Sequence, residues 1–169
     1  MALLDRLIPD ETNSKRHIMS SANKATTLSD TNKLLEDLIK LDYDAIEAYD
    51  AAIKRLKDAE SKRQLSEFRN DHQRHTQNLG RFMKQAGKDP PTGPGLKQIL
   101  TKGKVVLADI SGDQAILKAM KSNEDDTNAA YERAVQHEGT SAELRDTLRE
   151  NLNDERRHRS WIERRIKEI

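Results

Sequence analysis

The sequence predicts an all-α protein: a four-helix bundle of up-down-down-up topology, with a long crossover between helices two and three. Three observations carry that reading. Strand formers and chain breakers are scarce, with 7 Gly, 4 Pro, one Trp, three Tyr and two Phe in 169 residues, against long tracts of Ala, Leu, Glu, Lys and Arg that favour helix. Four segments past residue 30 repeat apolar residues in steps of three and four, the spacing of a bundle seam. Two connections are short, whereas the third, "PPTGPGLKQILTKGKVVLADISG" from Pro90 to Gly112, is long enough to carry the chain back along the bundle, so that two antiparallel hairpins are joined by one crossover.

Residues 1–29 are polar and rich in Ser, Thr, Asn and Lys, with one brief amphipathic piece at Leu3 to Ile8 before Pro9. They are expected to form a mostly flexible arm, with the bundle occupying 30–169. Helix one is predicted over 31–56. Helix two is expected to begin near Ser61, where Ser61 and Gln64 fit a capping box, and to stop at Gly87 ahead of Pro90 and Pro91. The crossover has room for one short helix over 96–108. Helix three is predicted over 113–137, and "GTSAE" separates it from helix four, with Thr140 and Glu143 as a second capping box.

Composition removes several function classes. Lys plus Arg (30) balances Asp plus Glu (29), for a net charge of +1, which gives no electrostatic reason to expect nucleic acid or an anionic membrane as partner. "RRHRSWIERR" is basic but lacks the aromatic platform that stacks bases. No apolar run approaches the ~18 residues of a membrane span, and "MALLDRLIPDE" is too short in apolar residues for a secretory signal; the expected location is the cytoplasm. Cysteine is absent, which excludes disulfides, thiolate zinc sites, iron–sulfur clusters and a thiol nucleophile. No Gly-rich phosphate loop or Ser-His-Asp arrangement stands in a recognisable context. Any metal must be held by histidine and carboxylate.

The seam residues name the candidates. Helix one presents Leu35, Leu38, Asp42, Ala45, Tyr49, Ala52 and Leu56; helix two, Leu65, Phe68, His72, His75, Leu79 and Phe82. Helix three presents Leu117, Met120, Glu124, Thr127, Tyr131 and Ala134; helix four, Leu144, Leu148, Asn151, Glu155, His158 and Ile162. Asp42, His72, His75, Glu124, Glu155 and His158 therefore face inward, with at least one on every helix. Asp42 and His75 are equidistant from the first predicted turn and Glu124 and His158 from the second, so each hairpin brings a carboxylate and an imidazole to one height.

The hairpins also look like copies of one unit. Asp42 precedes Tyr49 by seven residues as Glu124 precedes Tyr131; His72 and His75 are three apart, as are Glu155 and His158; the steps from Asp42 to His72 and from Glu124 to Glu155 are 30 and 31. Ionisable groups in an apolar seam cost several kcal/mol each if unpaired. A bound divalent cation offsets that cost, and carboxylate plus imidazole without sulfur suits iron, manganese or zinc, with two ions in one bundle core as the arrangement this ligand number favours.

Carboxylate-x6-Tyr on helices one and three with Glu-x-x-His on helix four resembles the ferritin-like di-iron proteins such as bacterioferritin and rubrerythrin. "LDYDAIEAY", "FRNDHQRH" and "DERRHRSWIE" are similar to segments of uncharacterised bacterial ferritin-like proteins, and the resemblance runs from Thr31 to Ile169. It implies Asp42 and Glu124 as terminal carboxylates, Glu155 as a bridging carboxylate, His75 and His158 as nitrogen ligands, and Tyr49 and Tyr131 beside them, supplying protons or electrons. It implies iron as cofactor, one or two ions, with manganese or zinc as substitutes. The chemistry implied is ferroxidase or peroxide-reducing, an oxidoreductase of the stress response that takes O2 or H2O2 and, lacking cysteine, an external reductant; a homodimer is one assembly compatible with it. The alternative is a non-enzymatic helical stress or interaction protein that kept the fold and a structural metal.

His72 departs from the pattern, standing where the family has the bridging glutamate of helix two. A neutral imidazole has one free lone pair and cannot bridge. Two divalent ions among three carboxylates and three neutral histidines leave the ligand set at about +1 rather than neutral, so either a hydroxide or oxide compensates or the second ion binds weakly or not at all. Asp44, Glu47 and Asp71 take outer positions and read as a solvated face, with Asp71 also a candidate partner for His75. Trp161 reads as packing. His17 falls in the arm, and His137 complements the dipole at the end of helix three.

Overall fold

A computed structural model describes residues 11–95 and 110–169, with side chains from Thr26 onward. Its helices are α1 (Glu11–Arg55), α2 (Ala59–Gln85), α3 (Asp113–Val135) and α4 (Ala142–Glu168), and the described residues include no strand. α1 packs on α2 and α3 on α4, and the two hairpins meet through α1 on α3 and α2 on α4. None of the helices among the described residues is long and apolar enough to cross a membrane.

α1 starts at Glu11 rather than near residue 31. Polar composition deprives 11–29 of a core to join, but no Gly or Pro interrupts the chain between Pro9 and Arg55, and a helix continues until something breaks it. The buried face begins only at Leu35, while Leu28 is 52% exposed. The first ten residues of the expected arm and the expected short helix over 96–108 lie outside the described residues.

Both expected capping boxes are displaced. α2 is capped by Asp58, whose carboxylate accepts from the Ser61 amide at 2.8 Å and the Ser61 hydroxyl at 2.6 Å, while Arg165 of α4 donates to the same oxygen at 2.8 Å. α4 is capped by Ser141, which accepts from the Leu144 amide at 3.1 Å; Thr140 instead donates to the His137 carbonyl and so closes α3. α2 ends as expected before Gly87, which takes φ 71 so that the Lys88 amide can reach back to the Met83 carbonyl. The α1–α2 turn is held by Asp113 at the start of α3, which accepts from the Lys57 and Asp58 amides at 2.9 and 2.7 Å.

Two apolar clusters fill the bundle at different heights. One gathers Leu35, Leu38, Ile39, Leu79, Met83, Ala134, Leu144 and Leu148; the other gathers Ala52, Leu56, Leu65, Phe68, Ile116, Leu117, Met120 and Ile162. Every expected seam residue is buried except Phe82, which is partly buried while Met83 takes the core place. A straight helix drifts against a seven-residue repeat, and its apolar face is wider than a strict seam, which also explains why Ile39, Ile116 and Leu152 join the core. Asp44, expected on a solvated face, is buried at 9% exposure, whereas Glu47 is exposed as expected. Trp161 packs edge-on to Phe68 at 5.8 Å.

Candidate metal centre

The polar layer lies between the two apolar clusters. Asp42 comes from α1, His72 and His75 from α2, Glu124 from α3, and Glu155 and His158 from α4, and all six are at 0% exposure. The structure thus gathers every seam candidate into one cluster. His72 Nδ1 stands 2.9 Å from Asp42 Oδ1 and 3.5 Å from Glu155 Oε1. His75 Nδ1 is 3.6 Å from the same Asp42 oxygen and 3.3 Å from the same Glu155 oxygen. On the other side of the His72 ring, Nε2 is 3.8 Å from Glu124 Oε1, and His158 Nδ1 is 3.6 Å from Glu124 Oε2.

The tyrosines tie the carboxylates across the hairpins. Tyr49 on α1 donates to Glu124 Oε1 at 2.5 Å, and Tyr131 on α3 donates to Asp42 Oδ2 at 2.7 Å. The pairs run in opposite order along the two helices, as antiparallel neighbours require. Asn151 donates to the Tyr131 hydroxyl at 3.3 Å, and Asn128 bridges the carbonyls of Glu124 and Glu155 at 2.7 and 3.1 Å. Asn128 lies off the heptad seam, which is why periodicity does not find it.

A second reciprocal pairing joins α2 to α4. His158 Nε2 meets Asp71 of α2 at 3.0 Å, and His75 Nε2 meets Asp154 of α4 at 3.2 Å. Asp71 therefore serves His158, not the His75 of its own helix. With its Nδ1 turned into the bundle, each ring sends Nε2 toward the facing helix, so the carboxylate it reaches belongs to that helix. Arg74 contacts Asp71 and Asp154 at 2.6 and 2.7 Å, and Arg157 contacts the same two at 2.6 and 2.8 Å, closing a four-membered ion network over this face. The signal stands in the sequence as two matching stretches, "DHQRH" at 71–75 and "DERRH" at 154–158, in which Asp, Arg and His recur at the same offsets.

Electrostatics follow from this crowding. Burial alone would push His72 down, but Glu155, Asp42 and Glu124 around it raise it well above its ordinary value. For His75 burial is likewise outweighed, by Asp154, Asp42 and Glu155, which lift it to about 10. His158 is raised by Asp71 and Glu124 against the same penalty. Among the carboxylates burial acts upward, yet His158 and His72 bring Glu124 down to about 2, and His72 and His75 bring Asp42 below its ordinary value. Burial and the adjacent carboxylates drive Tyr49 and Tyr131 well above 10, so both phenols remain hydrogen-bond donors. In the absence of a cation, protons on His72, His75 and His158 offset the negative charge of Asp42 and Glu124.

His72 Nε2, His75 Nδ1, Glu124 Oε2, both oxygens of Glu155 and His158 Nδ1 are buried with no hydrogen-bond partner, a concentration unusual in a native core. Asp42, His72, His75 and Glu155 form one four-residue set, and His72, Glu124, Glu155 and His158 another, each offering donor atoms within 4.8 Å of one another. Nitrogen and carboxylate donors in that number suit a divalent transition metal.

The family model described as "Domain of unknown function (DUF2383)" matches residues 30–138. The chain belongs to the DUF2383 family. That match takes in the bundle part of α1, all of α2 and α3, and ends before α4, which carries Glu155 and His158. Two solved structures resemble this DUF2383 chain. One is described as a ferritin-like, diiron-carboxylate protein from Bacillus anthracis str. Ames, with 20% identity, TM-score 0.67 and coverage of 83% of this chain and 97% of that one. The other is the conserved hypothetical protein rv2844 from Mycobacterium tuberculosis, with 16% identity, TM-score 0.67 and coverage of 80% and 96%. At those identities the likeness establishes the fold, a ferritin-like helical bundle. No curated protein matches the chain.

Proposed function

We propose that this DUF2383 protein is a redox metalloprotein whose central cluster binds iron, or manganese in its place, and handles iron, O2 or H2O2 in ferroxidase or peroxide-reducing chemistry. The observation that carries this reading is the convergence of unpartnered, fully buried imidazole nitrogens and carboxylate oxygens from α2, α3 and α4 at one height of the bundle. A bound ion of this kind supplies one-electron redox chemistry at a position enclosed by protein.

The chain's own residues do the rest. Asp42, His72, His75, Glu124, Glu155 and His158 are the residues from which the ion would draw its ligands. Asp154 and Asp71 accept from the Nε2–H groups of His75 and His158, which keeps Nδ1 of each ring aimed inward and makes it a better donor. Tyr49 and Tyr131 each hold one oxygen, of Glu124 and Asp42 respectively, and their phenolic protons lie beside the ligands. Apolar layers above and below exclude water. With no cysteine in the chain, electrons come from an external reductant, in the cytoplasm on this reading.

The test is anaerobic reconstitution with Fe(II), elemental analysis after desalting, and stopped-flow absorbance on adding O2 or H2O2. Bound iron that oxidises faster than the protein-free blank, and turns over repeatedly with H2O2 and an artificial reductant, is the expected result. Iron that binds but stays inert favours a non-enzymatic protein with a structural metal. No bound metal and no oxidation beyond the blank defeats the proposal.

A further inference from the structure

We infer that the centre takes a single divalent cation, held by Asp42, His72, His75 and Glu155, and that the His72 ring keeps a second ion out of the Glu124 half. This rests on the metal-binding reading above and sharpens it, because the cluster offers two overlapping four-residue ligand sets.

His72 belongs to both candidate sets, but through opposite edges of its ring. Nδ1 faces Asp42 at 2.9 Å and Glu155 at 3.5 Å, and Nε2 faces Glu124 at 3.8 Å. A neutral imidazole has one lone pair. If Nδ1 binds the ion, Nε2 carries the ring hydrogen and points it at the Glu124 half, where a cation would have to sit. In the matching position of the second hairpin stands Glu155, whose two oxygens can serve two directions at once. The stretches "DHQRH" and "DERRH" differ at two positions, His72 against Glu155 and Gln73 against Arg156, and the first of these turns a group able to bridge into one that serves only one side.

Convergence of donors on shared oxygens selects the side. Donors about 2.1 Å from one ion, at right or tetrahedral angles, lie roughly 3.0 to 3.4 Å from each other. The separations in the Asp42 half are 2.9, 3.3, 3.5 and 3.6 Å, near that range, and the Nδ1 atoms of His72 and His75 both converge on the same two oxygens, Asp42 Oδ1 and Glu155 Oε1. Tyr131 holds Asp42 Oδ2, which leaves Oδ1 facing His72 Nδ1 at 2.9 Å and His75 Nδ1 at 3.6 Å. In the Glu124 half the separations are 3.8 and 3.6 Å and run to two different oxygens, and the one nearer His72 already accepts from Tyr49. Charge limits the number to one, since Glu155 belongs to both sets: with Asp42 it neutralises one divalent ion, which leaves a second with Glu124 alone. Two imidazoles and two carboxylates suit Fe(II), Mn(II), Co(II) or Zn(II), and the first three accept further small ligands.

Cobalt(II) is the probe. The full-length protein, freed of metal, is titrated anaerobically with Co(II) by its visible absorbance, analysed for cobalt after desalting, and examined by X-ray absorption at the cobalt edge. One cobalt per chain, with two imidazoles and no cobalt–cobalt vector, is expected. His72→Glu should bind two and show a metal–metal vector. His75→Ala should raise the cobalt dissociation constant by roughly 100-fold or more and His158→Ala by less than about tenfold, on the scale of losing a ligand against losing a neighbour, with far-UV circular dichroism confirming that each variant is folded. Two ions of similar affinity in the wild-type protein, a cobalt–cobalt vector, or a larger effect at His158 than at His75 overturns the inference and leaves metal binding intact. No cobalt bound by the wild-type protein overturns the metal-centre reading itself. The wild-type absorption result decides the matter even if a variant does not fold.

Discussion

Replacing Asp154 by Asn tests the ion network and the histidine it orients together. Asp154 accepts from His75 Nε2 at 3.2 Å, from Arg74 at 2.7 Å and from Arg157 at 2.8 Å. The bond to His75, whose ring is fully buried, falls in the class of hydrogen bonds to charged groups worth about 1.5–3 kcal/mol. The two arginines are about half exposed and retain Asp71, so each contact with Asp154 contributes only about 0.5 kcal/mol. The metal-free variant should therefore be less stable by about 2.5–4 kcal/mol at pH 6, by urea unfolding in the presence of a chelator.

The pH dependence has a definite sign. His75 is raised in the folded protein to about 10, with Asp154 the largest of the groups that raise it against the burial penalty. A group raised on folding stabilises fully below its unfolded value, near 6.5, and that contribution disappears as pH climbs through the folded value. The gap between wild type and variant should thus be widest at and below pH 6 and narrow as pH rises toward 10. In the presence of metal the variant should lose about 10- to 100-fold in affinity, because an unsupported ring is a poorer and less well aimed ligand. A stability difference below about 0.5 kcal/mol, or one that is flat from pH 6 to pH 10, refutes the reasoning.

Asp58→Ala removes the α2 cap and its link to Arg165 and should cost about 1–2 kcal/mol in thermal or urea unfolding; because Asp58 is lowered on folding to about 2, that contribution is present above its unfolded value near 4 and fades as pH falls through about 2. Tyr131→Phe deletes the donor to Asp42 Oδ2 and should destabilise the metal-free protein by about 1–3 kcal/mol, with its effect on metal affinity read by the same cobalt titration. Binding of one cobalt at pH 7 should release about two protons, since His72 and His75 are both protonated before the ion displaces them; a pH-stat titration showing no proton release contradicts that assignment.

Periodicity alone identified all six inward-facing ionisable residues and the antiparallel pairing of the hairpins, because a step of three or four along a helix is a local property that burial merely reads out. Helix caps were harder. Asp58 and Ser61 both satisfy the local chemistry of a cap, and Ser141 and Thr140 stand next to each other; the Arg165 side chain arriving from α4 and the Thr140 bond to the His137 carbonyl separate the candidates. Asp44 shows the limit of a heptad count, since its place outside the seam gave no sign that it would be covered.

The sequence by itself determined the helical class, the long crossover, the exclusion of sulfur chemistry and the list of groups available to hold a metal, all of which follow from composition and spacing along one chain. Only the tertiary structure decided who meets whom. Asp71 reaches His158 and Asp154 reaches His75, Tyr49 holds Glu124 and Tyr131 holds Asp42, and the two edges of the His72 ring open onto unequal sets of donors. Those pairings join residues 30 or more positions apart in sequence order, through side chains that no local rule orients. They exist because burying the apolar faces of α1 against α3 and of α2 against α4 leaves one relative height at which the polar layers coincide and their charges are mutually satisfied.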